Sequence, residues 1–243
     1  MITIQQLSKR FGKLQVLDAV SLTLQGGQCV ALIGPNGSGK TTLIKAMLGM
    51  VVPQSGSIRF KGNLISGQWE YRQHIGYMPQ IGRYPENMTI GQLLDMMQDI
   101  RKVPEASQDR DLFEVFELHQ MLDKRMGTLS GGTRQKVSAC LAFMFKPDVL
   151  ILDEPTAGLD PVATELLKDK ILAEKDKNKL IIITSHVLSD LDELATEVVY
   201  MQEGRPLFHQ SVDALKEETG TDRLAKAIAS VMVNEKKQKG ETV

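Results

Sequence analysis

Three short apolar runs, QCVALIG, PDVLILDEP and KLIIITSH, punctuate the chain, and each ends in glycine or polar residues. Continuous Val, Ile and Leu without alternation predicts strands buried on both faces of a mostly parallel sheet. Segments of helical periodicity lie between the runs, as crossover connections require. Ligands bind beyond the carboxyl ends of parallel strands, so this order predicts that Gly34, Asp153 and His186 meet at one sheet edge.

Two regions depart from this pattern. Residues 84 to 128 contain MTIGQLLDMMQDI and DLFEVFELHQML, two amphipathic helical stretches with no strand between them. They predict a helical subdomain inserted into the sheet domain, spanning about 84–146 once the next helix is included. The first 30 or so residues and residues 55 to 80 read as short β segments with turns at QGG, QSGS and KGN, an N-terminal antiparallel β subdomain. The chain thus divides into a body over 1–210 and a helical tail over 211–243, whose last stretch, NEKKQKGETV, reads as a frayed, solvated end.

Composition narrows the class. With 243 residues, 42% of them hydrophobic and 24% charged, the chain has the make-up of a soluble α/β protein with a substantial core. A net charge of −1 supplies no global field toward nucleic acid or an anionic membrane. No apolar run is long enough to span a bilayer, and MITIQQLSKRFGK lacks the features of a secretion signal, which predicts a cytoplasmic location. Cys29 and Cys140 fall in apolar strand and helix stretches without a CxxC or a nearby His, and read as reduced core thiols.

The chemistry begins at GPNGSGKTT, which comprises Gly34, Pro35, Asn36, Gly37, Ser38, Gly39, Lys40, Thr41 and Thr42 and sits between a strand and a helix. Glycines there let main-chain N–H groups converge on phosphate oxygens, and the helix that follows points its positive end at them. Lys40 reaches the outer phosphates, and the Thr41 hydroxyl is the expected Mg2+ ligand. VLILDEP supplies a second half: Asp153 for the metal and Glu154 where a base or water-positioning group is needed. A second glycine-rich helix start, LSGGTRQK, remains unexplained by a single nucleotide in a single chain.

These motifs, with Gln80 in YMPQ, the LDP of TAGLDP and His186 in TSH, resemble the ATP-binding subunits of ABC transporters over almost the whole chain. The resemblance implies a P-loop NTPase core and a homodimer with two ATP molecules at its interface. Each would be held between one chain's phosphate loop and the partner's Ser130, Gly131 and Gly132, which open a helix and form an anion site. It also implies that Phe11 stacks on adenine, that Gln80 senses Mg2+ and the attacking water, that His186 contacts the γ-phosphate, and that Asp160 reaches across the dimer while also capping a helix. Thr133 departs from the Gln common in the family and is expected to point away from the phosphates.

The implied activity is ATP hydrolysis with Glu154, His186, Gln80 and Lys40 in catalysis and Mg2+ on Thr41, Asp153 and Gln80. The implied partner is an integral membrane permease that holds the protein at the inner face of the cell membrane, with Ile81 to Met97 as the contact surface. The tail VDALKEETGTDRLAKAIASVM is similar to that of the ATPase associated with nitrous oxide reductase maturation, which implies a role in copper-site assembly and a periplasmic accessory partner. A drug, lipid or polysaccharide exporter is the alternative cargo reading. A soluble ABC protein acting on nucleic acid or ribosomes fits less well, because the chain has one cassette and no net positive charge. Met88, Met96, Met97, Met121 and Met126 lie at helical spacing and read as packing rather than a Cu(I) site.

Overall fold

The computed structural model describes residues 1–238, with side chains through residue 233. The chain opens with β1 (Ile2–Phe11) and β2 (Leu14–Leu24), then enters the central sheet at β3 (Cys29–Ile33) and helix α1 (Lys40–Met47). It returns through β4 (Ser55–Phe60), β5 (Asn63–Leu64) and β6 (Ile75–Met78). The helical insertion follows, with α2 (Ile90–Arg101), α3 (Asp111–Val115) and α4 (Gly131–Met144). Alternation then resumes: β7 (Val149–Asp153), α5 (Pro161–Lys175), β8 (Leu180–Thr184), α6 (Leu188–Leu194), β9 (Glu197–Gln202), β10 (Arg205–Ser211), α7 (Val212–Thr219) and α8 (Leu224–Gln238).

Two sheets result. One is antiparallel in the order β2-β1-β4-β5; the other has the order β10-β9-β3-β8-β7-β6, parallel throughout except for the β10 edge. The apolar runs explain the second sheet residue by residue. Cys29, Ala31 and Ile33 face one core with Leu150, Leu152, Ile181 and Ile183, while Val30 and Leu32 face another with Val149, Ile151, Leu180 and Ile182. The helical subdomain and α5 cover the first face, and α1 and the antiparallel sheet cover the second. Burial on both sides removes any need for polar alternation. Cys29 and Cys140 are free and buried in the first of these cores, as their neighbours' apolarity implied.

Two sequence expectations are corrected. Ile75–Met78 lies within the stretch read as antiparallel, yet β6 pairs parallel with β7 at the edge of the main sheet. The second amphipathic helix is broken: α3 ends at Val115, Glu117 takes φ 53°, and a 3-10 turn follows at Leu118–Met121. Phe116 and Leu118 are both buried, and a continuous helix would point them about 200° apart. The tail packs Leu215, Leu224, Ala227 and Ile228 into the same core as the helical face of the sheet. Of the stretch expected to fray, α8 continues through Gln238, and 239–243 lie outside the described residues.

Candidate functional site

The turn between β3 and α1 is held open by glycine. Gly34 adopts φ 143°, and a methyl group there would stand 2.0 Å from the Met201 carbonyl oxygen. Gly39 caps α1 in a left-handed conformation with φ 102° and offers no side-chain acceptor to the helix, so the first N–H groups of α1 keep their capacity for an external anion. The β9–β10 turn braces the loop from behind: Gly204 N–H donates to Ser38 O at 3.1 Å, and Gly204 O accepts from Asp18 N–H at 2.9 Å.

Lys40 folds over this loop, with Nζ 2.7 Å from Gly34 O and 3.0 Å from Pro35 O. Burial lowers its pKa from the usual lysine value, opposed by the charges of Asp153 and Glu154. Ser38 is 2% exposed, and its hydroxyl has no hydrogen-bond partner among the described residues. An orphaned buried hydroxyl is costly, and this one is packed beside Gly34 at the base of the loop.

β7 and β8 deliver the opposite wall. Asp153 is buried and accepts a short hydrogen bond from the Thr184 hydroxyl on Oδ1. Glu154 follows with φ 51°, an unfavourable conformation for a residue with a side chain, costing on the order of 1–3 kcal/mol. Its N–H donates to Thr184 O at 3.0 Å and to Thr184 Oγ1 at 3.1 Å. The resulting turn sends its carboxylate toward His186, with Oε1 3.0 Å from Nε2. Asn36 to Thr42, Gln80, Asp153, Glu154 and His186 all line one cleft, joined by Val16, Thr184 and Ser185, so Asp153 and His186 meet at the sheet edge as expected, whereas Gly34 and Pro35 do not line the cleft and reach it only through their carbonyls' bonds to Lys40. Thr41, Gln80 and Asp153 present hard oxygen donors of the kind Mg2+ prefers.

The signature residues lie apart from this cleft. Ser130 caps α4, its hydroxyl accepting from Thr133 N–H at 3.2 Å. The Thr133 hydroxyl lies 2.9 Å from Ser130 Oγ, because a hydroxyl three residues into the helix faces back to the cap. Neither Ser130, Gly131, Gly132 nor Asp160 lines the cleft around Lys40. A methyl on Gly132 would come within 2.7 Å of Gly158 O, so α4 starts in close contact with the loop after Glu154. Asp160 caps α5 through Ala163 N–H at 2.9 Å and pairs with Lys136 at 2.8 Å.

Phe11 is half exposed at the end of β1, with Lys9 Nζ 5.0 Å from its ring centre, and does not line the cleft. Val16 does, and sequence reasoning missed it, since one valine in an alternating strand carries no chemical signal. Thr184 was also missed, although it is the first residue of the TSH motif itself.

A family model described as ABC transporter matches residues 17–157. The chain is 34% identical over 226 residues to the Nod factor export ATP-binding protein I of Burkholderia lata, covering 91% of this chain and 74% of that protein. A solved ATP-binding subunit of an ABC transporter superposes with a TM-score of 0.88 at 28% identity, covering 96% of this chain and 99% of that one. A bacterial ABC transporter cassette solved as a dimer gives a TM-score of 0.76 at 19% identity, covering 87% and 98%, a likeness of fold alone.

Proposed function

Because the chain belongs to the ABC transporter family of ATP-binding proteins, we propose that it is the ATP-hydrolysing subunit of a membrane transporter, working as a homodimer with ATP in two shared sites. The observation that carries this reading is the convergence of Lys40, Thr41, Gln80, Asp153, Glu154 and His186 on one cleft, while Ser130 caps a separate helix, α4, outside that cleft. A second chain related by two-fold symmetry would bring its Ser130, Gly131 and Gly132 to the first chain's phosphates.

Lys40 and the N–H groups of α1 bind the outer phosphates and withdraw charge from them. Glu154 accepts a proton from the attacking water, and His186 holds that carboxylate and meets the γ-phosphate. Mg2+, when bound to Thr41, Asp153 and Gln80, supplies further charge neutralisation. ATP binding favours the closed dimer and hydrolysis releases it, so the membrane partner responds to a population shift. Among the described residues no helix is long and apolar enough to cross a membrane; the permease at the inner membrane face is drawn from the family likeness.

For cargo, we read copper-site assembly of nitrous oxide reductase, with a periplasmic accessory protein, from the likeness of the tail over 212–232. The second reading, another export system, is favoured by the relative whose name is Nod factor export. Purification from detergent-solubilised membranes tests both: a multi-span permease is expected in fixed ratio, and its identity separates the cargoes. Recovery with ribosomes or DNA instead would overturn the transport reading.

A further inference from the structure

Gln135 stands on α4 just beyond the signature glycines and has no part in the chemistry described above. It is 5% exposed, and its Nε2 donates to two main-chain carbonyls of the loop after β7, Glu154 O at 3.3 Å and Pro155 O at 3.4 Å. Glu154 is the residue with the left-handed backbone. The peptide before its Cα is anchored to β8 through Thr184, and the peptide after it is anchored to α4 through Gln135. With both flanking peptide planes fixed, the direction of the Glu154 Cα–Cβ bond is fixed as well, which restricts the rotamers that carry the carboxylate.

We propose that Gln135 is a positioning residue for hydrolysis, holding the Glu154 carbonyl so that the carboxylate stays aimed at His186 and the cleft. The inference rests on the ATPase reading of that cleft. Lys136, the next residue, pairs with Asp160, so two successive residues of α4 grip the beginning and the end of the 154–160 loop. The same helix begins at Ser130, the group expected to meet the partner's nucleotide. A shift of α4 on engaging that nucleotide therefore reaches this chain's own base through one side-chain amide.

The test is Gln135→Met, which keeps the stem and removes both donors. We expect kcat to fall about 10- to 100-fold, the scale of a misplaced reacting group, with KM for ATP within about twofold of wild type. ATP-induced dimerisation, read by light scattering in the Glu154→Gln background, should be unchanged. A kcat within about twofold of wild type overturns the proposal. So does a joint loss of dimerisation and ATP binding, since that marks a general packing role. If Gln135→Met does not fold, Gln135→Glu replaces the donor amide with carboxylate oxygens and is judged by the same outcomes. Failure of the ATPase reading itself would appear separately, as absence of turnover in the unsubstituted protein.

Discussion

His186 Nε2 lies 3.0 Å from Glu154 Oε1, joining the loop after β8 to the end of the neighbouring β7 along one wall of the cleft. The carboxylate is 20% exposed and the imidazole 55%, so the pair is sheltered on the strand side and open to water on the other. A proton acceptor at that position can meet a water molecule without being flooded by solvent. Glu154→Gln keeps the shape and removes the basicity. Phosphate release should fall at least about 100-fold while ATP-dependent dimerisation persists. Phosphate release at the wild-type rate would remove Glu154 from the mechanism.

The glycines of the phosphate loop differ in what they tolerate. Gly34→Ala places a methyl against the Met201 carbonyl at 2.0 Å in a conformation of φ 143°. Strain and overlap together should destabilise the fold by about 2–5 kcal/mol. At Gly37, with φ 80°, a methyl would meet nothing within 4 Å, so only the backbone preference is lost, about 1 kcal/mol. Urea unfolding of the two variants should reproduce that order. Equal midpoints would show that the loop relaxes at Gly34.

A buried ion cluster ties the helical subdomain to α5. Lys170 is 6% exposed and contacts Asp109 at 2.5 Å, Asp111 at 2.7 Å and Glu174 at 3.1 Å, and Glu174 also takes Lys177 and Lys179. Burial alone would raise the Glu174 pKa, but hydrogen bonds from the three lysines outweigh it and bring it down to about 2. A folded value below the unfolded value of 4.5 means that the unfolded state takes up the proton first as the solution is acidified. The stabilisation, about 3 kcal/mol, is present above pH 4.5 and is lost between 4.5 and about 2. Urea midpoints measured across that window should fall steeply in the wild type and less steeply in Glu174→Gln. Lys170→Met leaves Asp109 and Glu174 with less compensation and should cost about 3–5 kcal/mol at neutral pH.

How much of this was legible depended on whether a residue's role is local. The strands of the main sheet were readable because burial on two faces leaves an unbroken apolar run, as in VLILD. Lys40, Thr41 and Glu154 were readable because their motifs encode a main-chain geometry. Gln135 and Val16 were not, since each acts through a contact far away in the chain, 19 residues for Gln135 to the Glu154 carbonyl. The break at Glu117 was hidden for a similar reason: DLFEVFELHQML has helical periodicity, and only the core's demand for both Phe116 and Leu118 ends it.

The separation of Ser130 from the Lys40 cleft makes a prediction about pairs of chains rather than single ones. Lys40→Met should abolish phosphate binding in its own chain and leave its signature intact. Ser130→Arg should do the reverse, because a bulky cation replaces the helix cap that receives the partner's nucleotide. Each variant alone builds dimers in which every shared site has one spoiled half, and neither should hydrolyse ATP. In an equal mixture about half the dimers are mixed, and each of those has one intact site, so activity should return to about a quarter of the wild-type rate when the sites act independently. ATPase assays over a series of mixing ratios check this. Recovery should be largest at the equal ratio and vanish at either extreme. A mixture as inert as its components, in which light scattering nonetheless shows mixed dimers, would mean that no functional site is shared between chains.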